Sequence, residues 1–184
     1  SLISVKVMMM SEISITWPDN KRTAVPKGTT LREAIASWKP ELLKETVAAK
    51  VDGKPMDLSA KIEEDAAVEP IEMSSKEGLS ILRHSASHIM AQAVQDTFPG
   101  AKVSIGPAIE DGFYYDFEYE TTFTPEDLRK IEQRMKEIAA SDAPFTRREL
   151  SREEAVALFR DKGETYKVEL INDPKERAEH VMLI

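Results

Sequence analysis

Apolar and polar residues alternate along the first part of the chain with the period of a β-strand. Ile13, Ile15 and Trp17 are the apolar positions of "EISITW", and polar residues separate them. The turn-forming "PDNK" and the segment "RTAV" follow, so a β-hairpin is predicted. The pattern then becomes helical, and Thr29 or Thr30 can cap the helix. We expect this helix to bury four apolar residues, which are Leu31, Ala34, Ile35 and Trp38.

More strand patterns follow this short helix. "TVAAKVDGKPMDL" indicates a strand, an Asp-Gly turn and a second strand, and "DAAVEPI" indicates a closing strand. One helix across a small mixed sheet is the β-grasp, or ubiquitin-like, architecture, because the apolar face of such a sheet has to be covered. The pattern therefore predicts a β-grasp domain over residues 11–73. This fold alone indicates little about function.

A second domain, over residues 75–184, is predicted to begin with a long helix. Ser74 and Glu77 have the spacing of a capping box, so we place the domain boundary there. The helical pattern runs over about 76–98 and ends at the "PG" that starts with Pro99.

Strands and helices alternate in the rest of the second domain. A strand over 102–105 is predicted first, followed by a Gly-Pro turn and a hairpin arm through "FYYDFEY". "PFTRREL" and "TYKVELI", at 165–171, are predicted as further strands. The class is therefore α+β, with a mixed or antiparallel sheet and helices packed on it.

Two further helices have clear start signals. Thr124 is the predicted N-cap of the first, with Pro125 at its first position. Ser151 and Glu154 form a capping box for the second, and Gly163 fits the position just after its end. The first of these helices should bury a stripe that consists of Leu128, Ile131, Met135 and Ile138.

Composition restricts the chemistry of the chain. It has 184 residues, a net charge of −8 and no cysteine, which excludes disulfides and thiolate chemistry within it. Its apolar runs are shorter than the roughly 20 residues that span a bilayer, so we expect no membrane association and a cytoplasmic location. Residues 1–10 are assigned to neither domain and are expected to be disordered or extraneous to the fold.

Basic residues do not dominate either half of the chain. Acidic residues outnumber them on both sides of residue 74, so a nucleic acid would have to bind at local patches. Arg129 with Lys130 and Arg147 with Arg148 are the candidates. Each pair alone is explained more simply as ordinary solvated charge.

Two of the three histidines lie one helical turn apart in the long helix. "RHSASHIMAQAV" contains His84 and His88 with only small residues between them, and Gln95 lies on the same face. The opposite face is the predicted core stripe, which consists of Leu82, Ala86, Ile89 and Ala93. A face with two imidazoles, an amide and small side chains is suited to wall a pocket. The spacing alone also fits surface histidines or buried structural ones.

Three chemical roles fit such a histidine pair in general. A zinc protease needs H-E-x-x-H, and Ser85 occupies the position of the glutamate, so this role fails. A zinc site needs three or four ligands, and the remaining histidine, His180, lies near the end of the chain. A metal-free acid–base role needs only the imidazoles, which titrate near neutral pH.

Four segments of the chain, in order, closely resemble the editing domain of the bacterial threonyl-tRNA synthetase family. They are "LRHSASHIMAQAV", "IGPAIEDGFYYDF", "TPEDLRKIEQRMKEI" and "GETYKVELI". The β-grasp segment resembles the TGS domain that precedes the editing domain in that family. H-x-x-x-H alone is a weak motif that alanyl-tRNA editing proteins share, whereas its combination with Gly106 and the "GFYYD" of 112–116 is specific. The resemblance covers residues 12–171.

Proofreading is the activity that this resemblance implies. A family member joins threonine to tRNA(Thr) with ATP, and this region hydrolyses seryl-tRNA(Thr) formed by mistake. One missing methyl group provides only about 1–3 kcal/mol of discrimination, so a second, hydrolytic site is used. By the resemblance, His84 and His88 hold or activate the water and the ribose end of the ester, and Lys167 stabilises charge on the attacked carbonyl. The substrate-binding residues would be Gly106, Tyr115 and Gln95.

The resemblance also implies cofactors and partners. The family's editing site uses a further aspartate, cysteine and histidine, which we expect beyond Ile184 together with the aminoacylation domain. ATP, magnesium and zinc are expected only in that domain, while the present region is expected to need no cofactor and no metal. We expect the acceptor end of tRNA(Thr) as partner, a homodimer for the whole enzyme and a monomer for this chain alone.

Two other functions stay open on the residues alone. A β-grasp unit joined to an α+β domain is also suited to bind RNA or a protein partner without catalysis, with structural histidines. Lys167 would then be an exposed lysine of an edge strand. A metal-dependent hydrolase is the weaker alternative.

Overall fold

The chain forms two compact units, Ser1–Leu82 and Arg83–Ile184. The computed structural model describes residues 11–104, 108–109, 111–143, 148–173 and 180–183. The expectation for residues 1–10 lies outside the described residues and stays a prediction, as does the exact domain boundary.

A five-stranded sheet with one α-helix forms the first unit. Its order is β2-β1-β7-β4-β5, in which β1 and β7 are parallel and the other neighbours are antiparallel, while β3 and β6 pair separately. The predicted β-grasp fold is therefore confirmed. The elements are β1 (Glu12–Thr16), β2 (Arg22–Pro26), β3 (Thr29–Thr30), α1 (Leu31–Trp38), a 3₁₀ helix (Pro40–Lys44), β4 (Thr46–Val51), β5 (Lys54–Met56), β6 (Lys61–Ile62) and β7 (Ala66–Glu72).

Local sequence signals set the ends of these elements. The Thr30 hydroxyl accepts a hydrogen bond from the Glu33 amide at 3.2 Å, and the Glu33 carboxylate accepts one from the Thr30 amide at 2.9 Å. This reciprocal pair is a capping box, which fixes the start of α1. Asp52 and Gly53 have φ angles of 48° and 83°, which suit the two-residue hairpin turn between β4 and β5.

Large apolar side chains fill the core between α1 and the sheet. Leu31, Ala34 and Ile35 are fully buried, as predicted, whereas Trp38 is only partly buried. Trp38 stacks on Trp17 with 4.4 Å between the ring centroids. The Trp17 indole satisfies its N–H by donating to the Thr23 hydroxyl at 2.9 Å.

The long helix α2 (Lys76–Thr97) contains the division between the two units. Its start differs from the predicted box of Ser74 and Glu77. The Ser75 hydroxyl accepts a hydrogen bond from the Gly78 amide at 3.0 Å, and the Glu77 carboxylate lies 2.7 Å from the Lys50 ammonium. The cap is thus Ser75, one residue later than predicted, and Glu77 pairs with a lysine of β4 instead of with the cap.

Short antiparallel strand pairs and three more helices follow α2. The strand pairs are β8–β11, β9–β10 and β12–β13. The elements are β8 (Lys102–Val103), β9 (Ala108–Ile109), β10 (Gly112–Phe113), β11 (Phe117–Glu118), α3 (Pro125–Ala140), β12 (Arg148–Ser151), α4 (Arg152–Asp161), α5 (Thr165–Asn172) and β13 (His180–Leu183).

The capping predictions for α3 and α4 are confirmed. Of the predicted α3 stripe, Ile131 is buried and Met135 and Ile138 pack against the same core, so only Leu128 differs from prediction. Leu128 of α3 is 58% exposed, since this helix packs through Ile131 onto Ala93 and Val94. In α2, Leu82 is exposed and Ala93 is buried. The buried face of α2 is rotated from the predicted one and consists of Ser87, Ala91, Ala93 and Val94.

The predicted strand at 165–171 is wrong, because this segment forms α5. α5 follows α4 after a short turn at Gly163, and the two helices pack against each other. None of the α5 residues is fully buried.

One of the two candidate basic patches is neutralised by its neighbours. The Arg129 guanidinium lies 3.0 Å from the Glu126 carboxylate, and the Lys130 ammonium lies 3.6 Å from that of Asp127. The other patch includes Arg147, which lies outside the described residues.

Candidate active site

α2 brings His84 and His88 into direct contact. Their Nε2 atoms are 3.0 Å apart, and their rings lie nearly perpendicular, at 84°, with 4.5 Å between the centroids. In such a contact one nitrogen donates and the other accepts, so the two rings carry complementary protonation at Nε2. The pair can therefore hold a proton between two bases.

The surroundings of His88 favour its neutral form. Burial lowers the pKa of His88 below its ordinary value, and the charges of His84 and Lys167 lower it further. A neutral imidazole at physiological pH can accept a proton, which is the requirement for a general base. The effect of Lys167 also means that the ammonium of α5 acts electrostatically on His88.

Small residues beside the histidines place them at the edge of the packed interior. Ser87 is 2% exposed, and its hydroxyl donates to the His84 carbonyl at 2.7 Å. Ala91, three residues after His88 and thus about one helical turn further, is 8% exposed. His84 itself is exposed and His88 is partly buried, so this face of α2 borders solvent without being fully solvated.

A second polar cluster joins Gln95 of α2 to Lys167 of α5 through Glu164. The Gln95 amide donates to Glu164 Oε1 at 2.8 Å, and the Lys167 ammonium lies 3.5 Å from the same oxygen. The Lys167 ammonium also lies 5.1 Å from the centre of the Phe159 ring. Two of the predicted site residues, Gln95 and Lys167, are thus joined through Glu164 in the second unit, and Lys167 lies on a helix instead of an edge strand.

The charge of Glu164 acts electrostatically on Tyr115. Burial raises the pKa of the Tyr115 phenol, and the Glu164 carboxylate raises it further. The ring stacks on Phe117 with 5.4 Å between the centroids. The predicted substrate-binding residue Gly106 lies outside the described residues, so its role stays a prediction.

Glu164 is the member of this arrangement that sequence reasoning missed. Its side chain is only 12% exposed. The available signal was its position three residues before Lys167, which is a contact spacing on a helix. Residues three apart on a strand do not contact each other in this way. Because 165–171 was wrongly predicted as a strand, the contact between Glu164 and Lys167 was not predicted.

The described part of the chain shows neither a metal-binding cluster nor a membrane-spanning helix. No three His, Asp or Glu side chains there are grouped closely enough to hold a metal ion. Within the same residues, no helix combines the length and the apolar character needed to cross a bilayer.

A TGS domain model matches residues 13–71, which nearly coincides with the β-grasp sheet and its helix. The first unit therefore belongs to the class of TGS domains.

Several proteins that are similar to this chain over nearly its whole length are all one enzyme. A threonine–tRNA ligase from Pelobacter propionicus is 52% identical over 164 residues, which are 89% of this chain and 26% of that protein. The corresponding ligases of Geobacter sp. strain M21 and Symbiobacterium thermophilum are 50% and 45% identical over 164 residues. The chain matches an N-terminal fragment of threonine–tRNA ligase, and it spans about a quarter of the length of these relatives.

Proposed function

We propose that this chain is the N-terminal region of a threonine–tRNA ligase and that its second unit hydrolyses mischarged seryl-tRNA(Thr). The relatives are threonine–tRNA ligases, which supports the first part. The second part depends on one observation above all, the 3.0 Å contact between the Nε2 atoms of His84 and His88. The lowered pKa of His88 adds to this support, because it keeps a base available at physiological pH.

The proposed reaction is hydrolysis of an aminoacyl ester by an activated water. His88 Nε2 accepts a proton from the water, whose oxygen bonds to the ester carbonyl carbon. Lys167 stabilises the negative charge that develops on the carbonyl oxygen. The bond from carbon to the ribose oxygen then breaks, and the imidazole pair returns the proton to that oxygen. The products are serine and tRNA(Thr) with a free ribose hydroxyl.

The proposed site has to admit serine and refuse threonine. These amino acids differ by one methyl group, whose burial provides only about 1–3 kcal/mol. A hydrolytic pocket that excludes the larger side chain by steric contact completes the selection. We assign Tyr115, Gln95 and Gly106 to the wall of this pocket, and Gly106 suits a position where the substrate packs against backbone.

The partners follow from the proposed enzyme. We propose that the acceptor end of tRNA(Thr) binds at the second unit and that the TGS domain contributes to tRNA binding. ATP, magnesium and zinc would be used by the aminoacylation domain of the whole enzyme, which we expect to be a cytoplasmic homodimer. The editing step itself needs no metal in this proposal.

Deacylation of seryl-tRNA(Thr) tests the proposal. The assay uses this chain and a longer polypeptide from the same gene that continues past Ile184. His84→Ala or His88→Ala should lower the rate about 10²–10⁴-fold, the range typical of acid–base groups. Lys167→Met should also lower it, whereas Lys162→Met, which changes a nearby exposed lysine, should leave it unaltered.

Unchanged rates in both histidine variants would overturn the assignment. Full tRNA binding by a longer polypeptide that shows no hydrolysis would favour the non-catalytic RNA-binding module instead. Loss of hydrolysis on chelation, restored by zinc, would favour a metal-dependent hydrolase.

A further inference from the structure

Glu164 connects α2 and α5 through a single carboxylate oxygen. Oε1 accepts the hydrogen bond of the Gln95 amide at 2.8 Å and lies 3.5 Å from the Lys167 ammonium. We infer that Glu164 is a positioning residue that holds the Lys167 ammonium beside the histidine pair for the hydrolytic step. This inference rests on the proposed function, in which Lys167 stabilises charge on the carbonyl oxygen.

The backbone of Glu164 is fixed by the turn that ends α4. The Glu164 amide donates to the Phe159 carbonyl at 2.9 Å, and the Gly163 amide donates to the Arg160 carbonyl at 3.0 Å. These two bonds, with a φ of 71° at Gly163, define a Schellman motif. The carboxylate therefore projects from a backbone position that α4 determines.

The same residue also begins α5. Glu164 is the N-cap, and its carbonyl accepts from the Val168 amide at 3.2 Å. Lys167 consequently lies in the first turn of α5, where a residue three positions after the cap faces it. The Phe159 ring, 5.1 Å from the Lys167 ammonium, provides a second contact. Lys167 is thus held between a carboxylate and an aromatic ring.

Gln95 links this cluster to the helix that carries the histidines. It lies seven residues after His88, which is two turns of α2 on the same face. The amide contact to Glu164 therefore ties the start of α5 to the histidine helix. Such a tie matters for catalysis, because a displacement of about 1 Å in a charge-stabilising group can reduce a rate roughly 10²-fold.

Kinetics of Glu164→Gln test the positioning role. The variant keeps the size of the side chain and removes the charge that attracts Lys167. We expect kcat for seryl-tRNA(Thr) to fall about 10–100-fold, with KM nearly unchanged, because the substrate is bound but Lys167 is misplaced. Glu164→Asp should restore part of the rate. Glu169→Gln, which changes an exposed carboxylate of the same helix, should behave like the unaltered protein.

A double-mutant cycle separates positioning from a general structural role. If Glu164 acts through Lys167, Glu164→Gln should cause little further loss in a Lys167→Met background. Fully additive losses in this cycle would overturn the inference, as would a Glu164→Gln variant with the unaltered kcat.

A measurement without substrate checks the geometry independently. Glu164→Gln removes a negative charge that raises the pKa of Tyr115, so this phenol should ionise at a lower pH in an NMR titration of labelled tyrosine. An unchanged Tyr115 titration would contradict the placement of Glu164. No hydrolysis by the unaltered longer polypeptide would instead overturn the proposed function, so the two failures are distinguishable.

Discussion

The two units of this chain bury different kinds of side chain. The first unit encloses Trp17, Ile15 and Leu31 almost completely, together with Ile35 and Val68. In the second unit, the helix with the histidines buries small residues, among them Ser87, Ala91 and Ala93. Burial of large apolar groups stabilises a fold at about 25 cal/mol per Å². The second unit has less of that stabilisation on α2, and the small side chains leave room for the polar residues His84, His88 and Gln95 along the helix.

The aromatic residues allow the two units to be followed separately. Both tryptophans, Trp17 and Trp38, belong to the first unit. All tyrosines and all histidines belong to the second. Tryptophan fluorescence therefore reports unfolding of the first unit, and tyrosine NMR signals report that of the second.

Ile35→Ala should cause the largest loss of stability in the first unit. Ile35 is fully buried between α1 and the sheet, so truncation removes apolar burial and leaves a cavity. We expect the free energy of unfolding to fall by about 2–5 kcal/mol, measured by denaturant titration with tryptophan fluorescence. Arg32→Ala, at an exposed position of the same helix, should change it by less than about 0.5 kcal/mol. An equal effect of both changes would contradict the core described for this unit.

Gly78→Ala should destabilise the start of α2. A Cβ at this position would lie 2.0 Å from the carbonyl oxygen of Glu72, so the backbone has to shift. This clash opposes the better helix propensity of alanine, and we expect a net loss of about 1–3 kcal/mol in the same titration. Gly112→Ala, where a Cβ meets nothing within 4 Å, controls for the added methyl group. Because Gly112 lies in the second unit, this control is followed by tyrosine NMR. A stabilised Gly78→Ala variant would show that the helix start adapts without strain.

Loss of a helix cap should affect both units alike. Thr30→Ala removes the capping box of α1, and Thr124→Ala removes that of α3. Each should lower the free energy of unfolding by about 1 kcal/mol, the first seen by tryptophan fluorescence and the second by tyrosine NMR. Thr122→Ala, two residues before the α3 cap, serves as control. If only one unit responded, the tertiary contacts of the other helix would have to replace its cap.

Acidification should act on the second unit through His88, with the smallest effect of the four. Burial lowers the pKa of His88 in the folded state, so the unfolded chain takes up a proton first as the pH falls below about 6.5. The free energy of unfolding therefore decreases as the pH falls below that value, until His88 is protonated in both the folded and the unfolded state. His88→Gln should reduce this decrease in a comparison of unfolding at pH 7.5 and about pH 5.5. The same pH dependence in both proteins would contradict the burial of this ring.

Sequence reasoning predicted the elements that depend on local signals. Thr124 and Ser151 were predicted as caps, and Thr30 as one of two alternatives with Thr29, because a hydroxyl just before a helix can satisfy its free amide groups. At the start of α2 the same kind of signal was one residue off, since Ser75 caps the helix instead of Ser74. The segment at 165–171 failed, since an apolar run of this length fits a helix or a strand equally well. Packing against α4 and the contact between Glu164 and Lys167 favour the helix over the strand. Neither of these two contacts can be predicted from a short stretch of sequence.

For the candidate site, the sequence predicted the histidine contact but not what surrounds it. Two residues four apart on a helix must be neighbours, so the pairing of His84 with His88 follows from spacing. Glu164 and Gln95 are 69 positions apart, and their hydrogen bond depends on the tertiary fold. The rotation of the buried face of α2 away from Leu82 is likewise a tertiary effect, because the pattern contains apolar residues on both sides.

The contact between the two imidazoles also determines how a hydroxyl group can approach them. Each Nε2 already satisfies the other at 3.0 Å, so an arriving water or ribose hydroxyl must replace that bond instead of adding to it. Exchanging one hydrogen bond for another changes the free energy little. Occupancy of the pair by a hydroxyl group then depends on whether its oxygen is positioned at the right angle to Nε2, and not on the number of hydrogen bonds gained.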